Sequence, residues 1–236
     1  MKNKRTCIPI SGACNSNCIF CMDNWSLSKF ISIEEIKAKL ISAKKYSNEV
    51  TFSSLEPTLH PNLLDIIKKA KELWFSRIEI VTNWRKLKDY VYTENLVKSW
   101  INEFDISIHH INKDKHDFIV QSKWAFDEWI SWLINVCKLS KKYNIKKTVS
   151  VTVCKQNYNE ILKIVYFLEK FWLDSIVLNI LQPRHSAVKN KDLTFVNYSK
   201  MLYEFLKLKT LQHKYNNIYI NWLVPCLEEN LKEIIW

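Results

Sequence analysis

Glycine is nearly missing from this chain. Gly12 stands alone among 236 residues, where average usage of roughly 7% would give about 16. Collagen-like and glycine-rich linker architectures are excluded. Long hydrophobic runs are missing too. None approaches the roughly 18 residues of a membrane-spanning helix, and the opening "MKNKRTCIPI" lacks the apolar stretch of a secretory signal. The chain is expected to be cytoplasmic, with no membrane partner. Arginine is scarce, occurring only at positions 5, 77, 85 and 184, so that 31 of the 35 basic residues are lysines. The formal charge of +11 invites a polyanion, but lysines spread over helix faces read as solvated surface rather than a phosphate-binding patch. A nucleic-acid partner is not expected.

What remains is ordinary globular composition, 47% hydrophobic and 25% charged, at a length that suits one domain over 1–236 with a well-buried core. Strand-like and helix-like segments alternate. "CIPIS" (7–11) precedes the helix "SIEEIKAKLISAKKYS" (32–47), with Ser32 and Glu35 in capping-box positions and Ile33, Ile36, Leu40, Ile41 and Ala43 on one face. Strands at 49–54, 77–83, 103–109, 146–153 and 175–182 are followed by helices at 62–73, 88–99, 125–143, 159–171 and 197–213, and a last short strand lies at 218–221. Six β-then-α units with β-branched strands argue for an α/β fold, a partial (β/α)6 TIM-like barrel of parallel strands. Working residues are expected at the C-terminal ends of such strands. The cysteine loop, "SSLEP", "TNW", "SIHH" and "QPRHS" fall there.

Seven cysteines do not form the even framework of a disulfide scaffold. Cys14, Cys18 and Cys21 cluster in "CNSNCIFC". Cys7, Cys137 and Cys154 read as small buried hydrophobes, and Cys226 as a core residue or the remnant of a second motif. Three thiolates on a short loop suit an iron–sulfur cluster or zinc. A [4Fe–4S] cube held by three cysteines leaves one iron open to a substrate or cofactor. His60, His109, His110 and His116 could be ligands or acid–base groups, but single histidines at strand ends and on loops read first as structural or solvated.

"GACNSNCIFC" resembles the signature of the radical S-adenosylmethionine (radical SAM) superfamily, Phe20 included. The resemblance implies that Cys14, Cys18 and Cys21 hold the [4Fe–4S] cluster and that S-adenosylmethionine (SAM) chelates the fourth iron. Reduction would then cleave SAM to methionine and a 5'-deoxyadenosyl radical that abstracts a substrate hydrogen. "TFSSLEPTLHPNLLDII" is similar to the family's Gly-Gly-Glu-Pro segment, with Ser54 and Leu55 in place of the glycines and Glu56 and Pro57 kept. "EIVTN" and "FDISIH" are similar to the family's third and fourth strands, which place Asn83 and Ser107. The implied cofactor-binding set is therefore Phe20, Ser54, Glu56, Asn83 and Ser107; no residue is assigned to the chemistry on the substrate. The implied partners are a low-potential electron donor of flavodoxin or ferredoxin type and a small-molecule or peptide substrate. "SIHHINKDKHDFI" and "ILQPRHSA" resemble members that modify peptides or make cofactors and often carry a C-terminal auxiliary-cluster (SPASM-like) extension. A core domain truncated before such an extension is the expectation. The alternatives are an iron–sulfur or zinc-binding module without radical catalysis, and an RNA-modifying radical SAM enzyme.

Ten tryptophans accompany the one glycine. Trp74, Trp100 and Trp172 stand between a helix end and the next strand, where glycine with positive φ is usual, and Trp84 follows Asn83 where Asn-Gly is a common turn pair. The codon UGA means glycine in some bacterial lineages and tryptophan in others. Trp25, Trp74, Trp84, Trp100, Trp124, Trp132, Trp172 and Trp222 are accordingly expected to be glycines in the organism. The alternative is that these loops differ in length and the indoles cover a partner surface. His110 and His185 also stand where the family often has glycine, and recoding does not reach them.

Overall fold

The computed structural model describes residues 5–23, 29–209 and 217–221, so Trp25, Trp222 and Cys226 lie outside the described residues. In chain order the elements are β1 (Thr6–Pro9), α1 (Ile33–Lys44), β2 (Glu49–Ser53), α2 (Leu63–Glu72), β3 (Arg77–Thr82), α3 (Tyr90–Lys98) and β4 (Glu103–Ser107). They continue with α4 (Lys113–Val120), α5 (Ala125–Ser140), β5 (Lys146–Val153), α6 (Ile161–Leu168), β6 (Ser175–Ile180), α7 (His185–Lys189), α8 (Lys191–Thr194), α9 (Tyr198–Lys209) and β7 (Ile218–Asn221). They form two compact units, one of Met1–Asn15, Asp23–Ile106 and Asp127–Lys147, the other of Ser16–Met22, Ser107–Phe126 and Thr148–Trp236.

In the first unit β1, β2, β3 and β4 pair in parallel in that order, with Thr6 opposite Val50, Val50 opposite Ile78 and Ile80 opposite Phe104. Val50, Phe52, Ile78, Ile80, Phe104 and Ile106 are fully buried on the face that receives the helices. Ser32 caps α1 by accepting from the Glu35 N–H at 3.2 Å. Glu35 does not close the capping box but reaches Lys39 at 2.8 Å. Ile36, Leu40 and Ala43 are the buried face of α1, whereas Ile41 is half exposed, because the buried stripe is narrower than the run of apolar residues. Most of the alternate strand positions are polar and carry an ion-pair network near the strand starts. Arg5 meets Glu79 at 2.6 Å, Glu103 at 3.3 Å and Glu49 at 3.4 Å; Arg77 joins Glu103 and lies 3.6 Å from Glu49. Cys7 is exposed, its sulfur 2.8 Å from the Ser53 hydroxyl. It is not the buried hydrophobe expected, because it faces the polar side of β1. Cys154 is fully buried and Cys137 half-buried.

In the second unit β5, β6 and β7 pair in parallel, Val149 opposite Ile176 and Leu178 opposite Ile220. Helices α4, α7 and α8 fall in stretches that the hydrophobic pattern left unassigned. Each has eight residues or fewer, too short for a 3.6-residue period to show.

Nine described residues occupy the left-handed region: Ser54, Leu55, Trp74, Trp84, Trp100, Gln121, Trp124, Trp172 and His185. Trp74 (φ 61°) and Trp100 (φ 90°) close α2 and α3. After α2 the N–H of Trp74 donates to Lys71 O at 2.8 Å and that of Phe75 to Ala70 O at 3.2 Å. After α3 Trp100 donates to Val97 O at 2.9 Å and Ile101 to Leu96 O at 3.1 Å. Both are Schellman motifs, whose left-handed position is usually glycine. A side chain with a Cβ costs roughly 1–2 kcal/mol there, so five such sites together approach the roughly 5–15 kcal/mol net stability of a domain.

Candidate functional site

Three expected site segments meet within the first unit, and Asn83 joins them. Its side-chain amide donates to Cys14 Sγ at 3.4 Å and to Asn15 Oδ1 at 2.7 Å. Its backbone N–H donates to Glu56 Oε2 at 2.6 Å. Glu56 is fully buried. Its Oε1 accepts from the Thr58 N–H at 2.9 Å, the Thr82 hydroxyl at 2.6 Å and the Thr58 hydroxyl, while its own N–H donates to Ala13 O at 2.9 Å. Burial pushes the Glu56 pKa up, and the bonds from Thr58, Thr82 and Asn83 pull against that shift. The carboxylate thus ties the end of β3 to the turn after β2. The carboxylate reaches Cys14 through Asn83.

Ser54 (φ 75°) and Leu55 (φ 48°) hold the left-handed backbone that a glycine pair would take there. The Leu55 N–H donates to Asp23 Oδ2 at 2.7 Å, which fastens the chain just past Cys21. Arg85 donates to Asn15 O and to Glu128 at 2.6 Å, a carboxylate shared with Lys88 at 2.6 Å. Burial opposes ionisation of Glu128, but Arg85 and Lys88 outweigh it and hold the carboxyl below its ordinary value. An open cavity of about 360 Å³ is lined by Asn15, Arg85, Lys86, Lys88, Asp89, Tyr92 and Glu128. Sequence reasoning missed Asp23, Asn15, Arg85 and Glu128. Their partners lie 32 to 70 residues away, and no short motif marks them.

The second unit holds Cys18, Phe20 and Cys21. Their loop runs beside the end of α4, where Asn17 N–H donates to Val120 O at 3.0 Å and Ile19 N–H to Ile119 O at 2.9 Å. Asn190 Nδ2 donates to Ile19 O at 2.8 Å and Ser186 N–H to Cys21 O at 3.1 Å. Ile19 and Phe20 pack with Ile119, Val120, Ala125, Cys154, Leu181 and Ala187, and Cys18 lies against that cluster. The loop is therefore fixed by apolar burial on one side while Cys18 and Cys21 stay half-buried. Phe20 stands edge-on to His109, ring centroids 4.7 Å apart. Ser107 ends β4 and is half-buried.

All four candidate histidines fasten backbone through Nδ1. His60 accepts from Asn62 N–H at 3.1 Å, His109 from Thr152 N–H at 3.2 Å, His110 from Asn112 N–H at 2.9 Å and His116 from His109 N–H at 3.3 Å. An Nδ1 that accepts requires the neutral ring with its proton on Nε2. Burial accordingly lowers the pKa of His109 well below its ordinary value and that of His116 to about 3. These rings act as struts. Among the described residues no group of three His, Cys, Asp or Glu side chains is gathered around a single-ion site.

The thiols nevertheless fit a cluster in chemistry. Three lie within eight residues, one receives an N–H donor, and two sit on a pinned loop.

Comparison with known proteins bears on this arrangement. The chain is 29% identical over 186 residues to a probable GTP 3',8-cyclase of Saccharolobus solfataricus, covering 75% of this chain and 56% of that protein. It thus spans little more than half the length of this curated relative. Among solved structures it is similar to Streptococcus suis SuiB bound to S-adenosylmethionine, with a TM-score of 0.75 at 16% identity over 98% of this chain and 53% of that one. SuiB bound to its precursor peptide SuiA gives a TM-score of 0.74 at 18% identity, over 98% of this chain and 51% of that one. At such identities the likeness shows the fold, a partial TIM-like barrel of parallel strands. The profile of the Radical SAM superfamily matches residues 8–168, more than half of the sequence, and the chain belongs to that superfamily.

Proposed function

We propose that this chain cleaves SAM reductively, with Cys14, Cys18 and Cys21 as ligands of a [4Fe–4S] cluster and Phe20, Ser54, Asn83 and Ser107 around SAM. Glu56 serves the same site by holding Asn83. When bound, the cluster supplies the electron that splits SAM into methionine and a 5'-deoxyadenosyl radical, which removes a hydrogen atom from the substrate. The observation that carries the reading is the Asn83 amide, which joins the cysteine loop to the Glu56 turn and the end of β3. Three segments distant in sequence, each of which the family resemblance assigns to cluster or cofactor, meet at this residue.

The residues divide the work. Cys14 keeps an N–H donor at its sulfur, and hydrogen bonds to ligand sulfurs are a lever on cluster potential. Ile19 and Phe20 bury one side of the loop and keep water from it. Ser54 and Leu55 shape the turn after β2 through left-handed conformations, and the Leu55 N–H ties it to Asp23 beside the cysteine loop. Electrons come from a low-potential donor of flavodoxin or ferredoxin type. The substrate is a small molecule or a peptide; the relatives' name suggests a purine nucleotide and SuiB suggests a peptide, so GTP and peptide libraries are the first substrates to try.

Anaerobic reconstitution tests the proposal. The wild-type chain should bind iron and sulfide and release 5'-deoxyadenosine from SAM on reduction, and Cys14→Ala, Cys18→Ala and Cys21→Ala should each lose both. An intact cluster that never yields 5'-deoxyadenosine would sink the reading and leave an iron–sulfur module without radical catalysis.

A further inference from the structure

Seven tryptophans lie among the described residues, and five of them, Trp74, Trp84, Trp100, Trp124 and Trp172, are left-handed. The other two, Trp129 and Trp132, lie inside α5 and are fully buried. Left-handed backbone disfavours large side chains and suits glycine. Two of the five fill the glycine position of complete Schellman motifs. Trp84 is fully buried, but side-chain burial does not explain the other four. Trp74 is 84% exposed and Trp172 87% exposed, while Trp100 and Trp124 are about half exposed. Indoles that bury little have no core to stabilise in exchange for a strained backbone.

We infer that the cell's protein carries glycine at positions 74, 84, 100, 124 and 172, through UGA codons read as glycine, and tryptophan at 129. Conformation thereby separates the tryptophans into two kinds, which composition cannot do. Trp132 leaves the expected set on this criterion, since a residue inside α5 needs no left-handed freedom. Position 84 links the inference to the proposed site. Its N–H donates to Thr82 Oγ1 at 3.0 Å and its carbonyl accepts from Leu87 N–H at 2.7 Å, a tight turn between Asn83, which holds Cys14, and Arg85, which holds Asn15. Glycine there lets the turn form without a bulky ring beside the cysteine loop. The inference stands on backbone geometry and does not require radical catalysis.

Two measurements test it. Peptide mass spectrometry of the protein from its own cells should find glycine at the five positions and tryptophan at 129; tryptophan at the five would overturn the idea, as would UGG codons in the gene. In recombinant protein, Trp74→Gly, Trp100→Gly and Trp172→Gly should each raise the melting temperature. Alanine at the same sites should gain less, because its Cβ keeps the left-handed penalty. Trp129→Gly should lower it. Ordinary tryptophan positions behave the other way, so glycine variants that are no more stable than their alanine counterparts would also overturn the inference.

Discussion

At the scale of single residues, Asn83 is the position where a small change should be read most directly. Its amide N–H points at Cys14 Sγ, and a donor at a ligand sulfur favours the reduced, more negative cluster. Asn83→Ala should therefore make the reconstituted cluster harder to reduce, and Asn83→Asp more so, because a carboxylate beside the sulfur adds repulsion. Redox titration followed by electron paramagnetic resonance checks the order; equal potentials in all three proteins would show that the contact tunes nothing. That Cys14, Glu56 and Asn83 come together was legible in the sequence because each sits in a short motif of fixed spacing. Asp23, Asn15 and Arg85 were not. Their roles are hydrogen bonds across 32 to 70 residues, and any polar residue in a loop carries the same local signal. The histidines show the converse, since four residues that looked chemically able are committed to backbone N–H groups.

At the scale of elements, strands were easier to read than short helices. Runs such as "KKTVSVTV" and "IYIN" are β-branched, apolar and bounded, and β5 and β7 occupy the residues expected. Helix α4 was missed, although its end supports the cysteine loop through Ile119 and Val120. Ile119→Ala should cost roughly 2–5 kcal/mol as a fully buried truncation and also lower iron retention after reconstitution; lost stability with unchanged iron would detach α4 from the loop. The strand starts make a separate prediction. Burial first, then the charge of Glu103, raises the Glu79 pKa, and Arg5 opposes the shift. A carboxyl whose folded pKa exceeds its unfolded value binds its proton more tightly when folded, so between those values stability grows as pH falls. Removing Arg5 raises the folded value further. Arg5→Ala should cost about 3 kcal/mol near neutral pH, the low end for a broken buried pair, since Arg77 still faces Glu103 and Glu49. Part of that loss should return on acidification in urea-melt series; a pH-independent loss would assign Arg5 to packing.

At the scale of the whole molecule, the sequence carried the fold class because the alternation of strand and helix persists over most of its length. Fold class alone does not choose a substrate. Charge is the other property legible at this scale, and the structure adds where some of it stands. Arg85, Lys86 and Lys88 lie together just after Asn83, against two carboxylates that line the same cavity, and Asn83 touches Cys14. With a formal charge of +11, an electron donor of acidic surface should be steered toward the protein, and steering of this kind weakens once the Debye length falls from about 10 Å at 0.1 M salt to about 3 Å at 1 M. Reduction of the reconstituted cluster by an acidic flavodoxin should therefore slow steeply with added salt, while photoreduction by a small deazaflavin should change little. Lys86→Glu combined with Lys88→Glu should flatten the flavodoxin dependence and leave the deazaflavin rate unaltered. A salt response unchanged by the double substitution would move the docking surface elsewhere, and equal salt dependence for both reductants would show that the overall charge does not steer the donor.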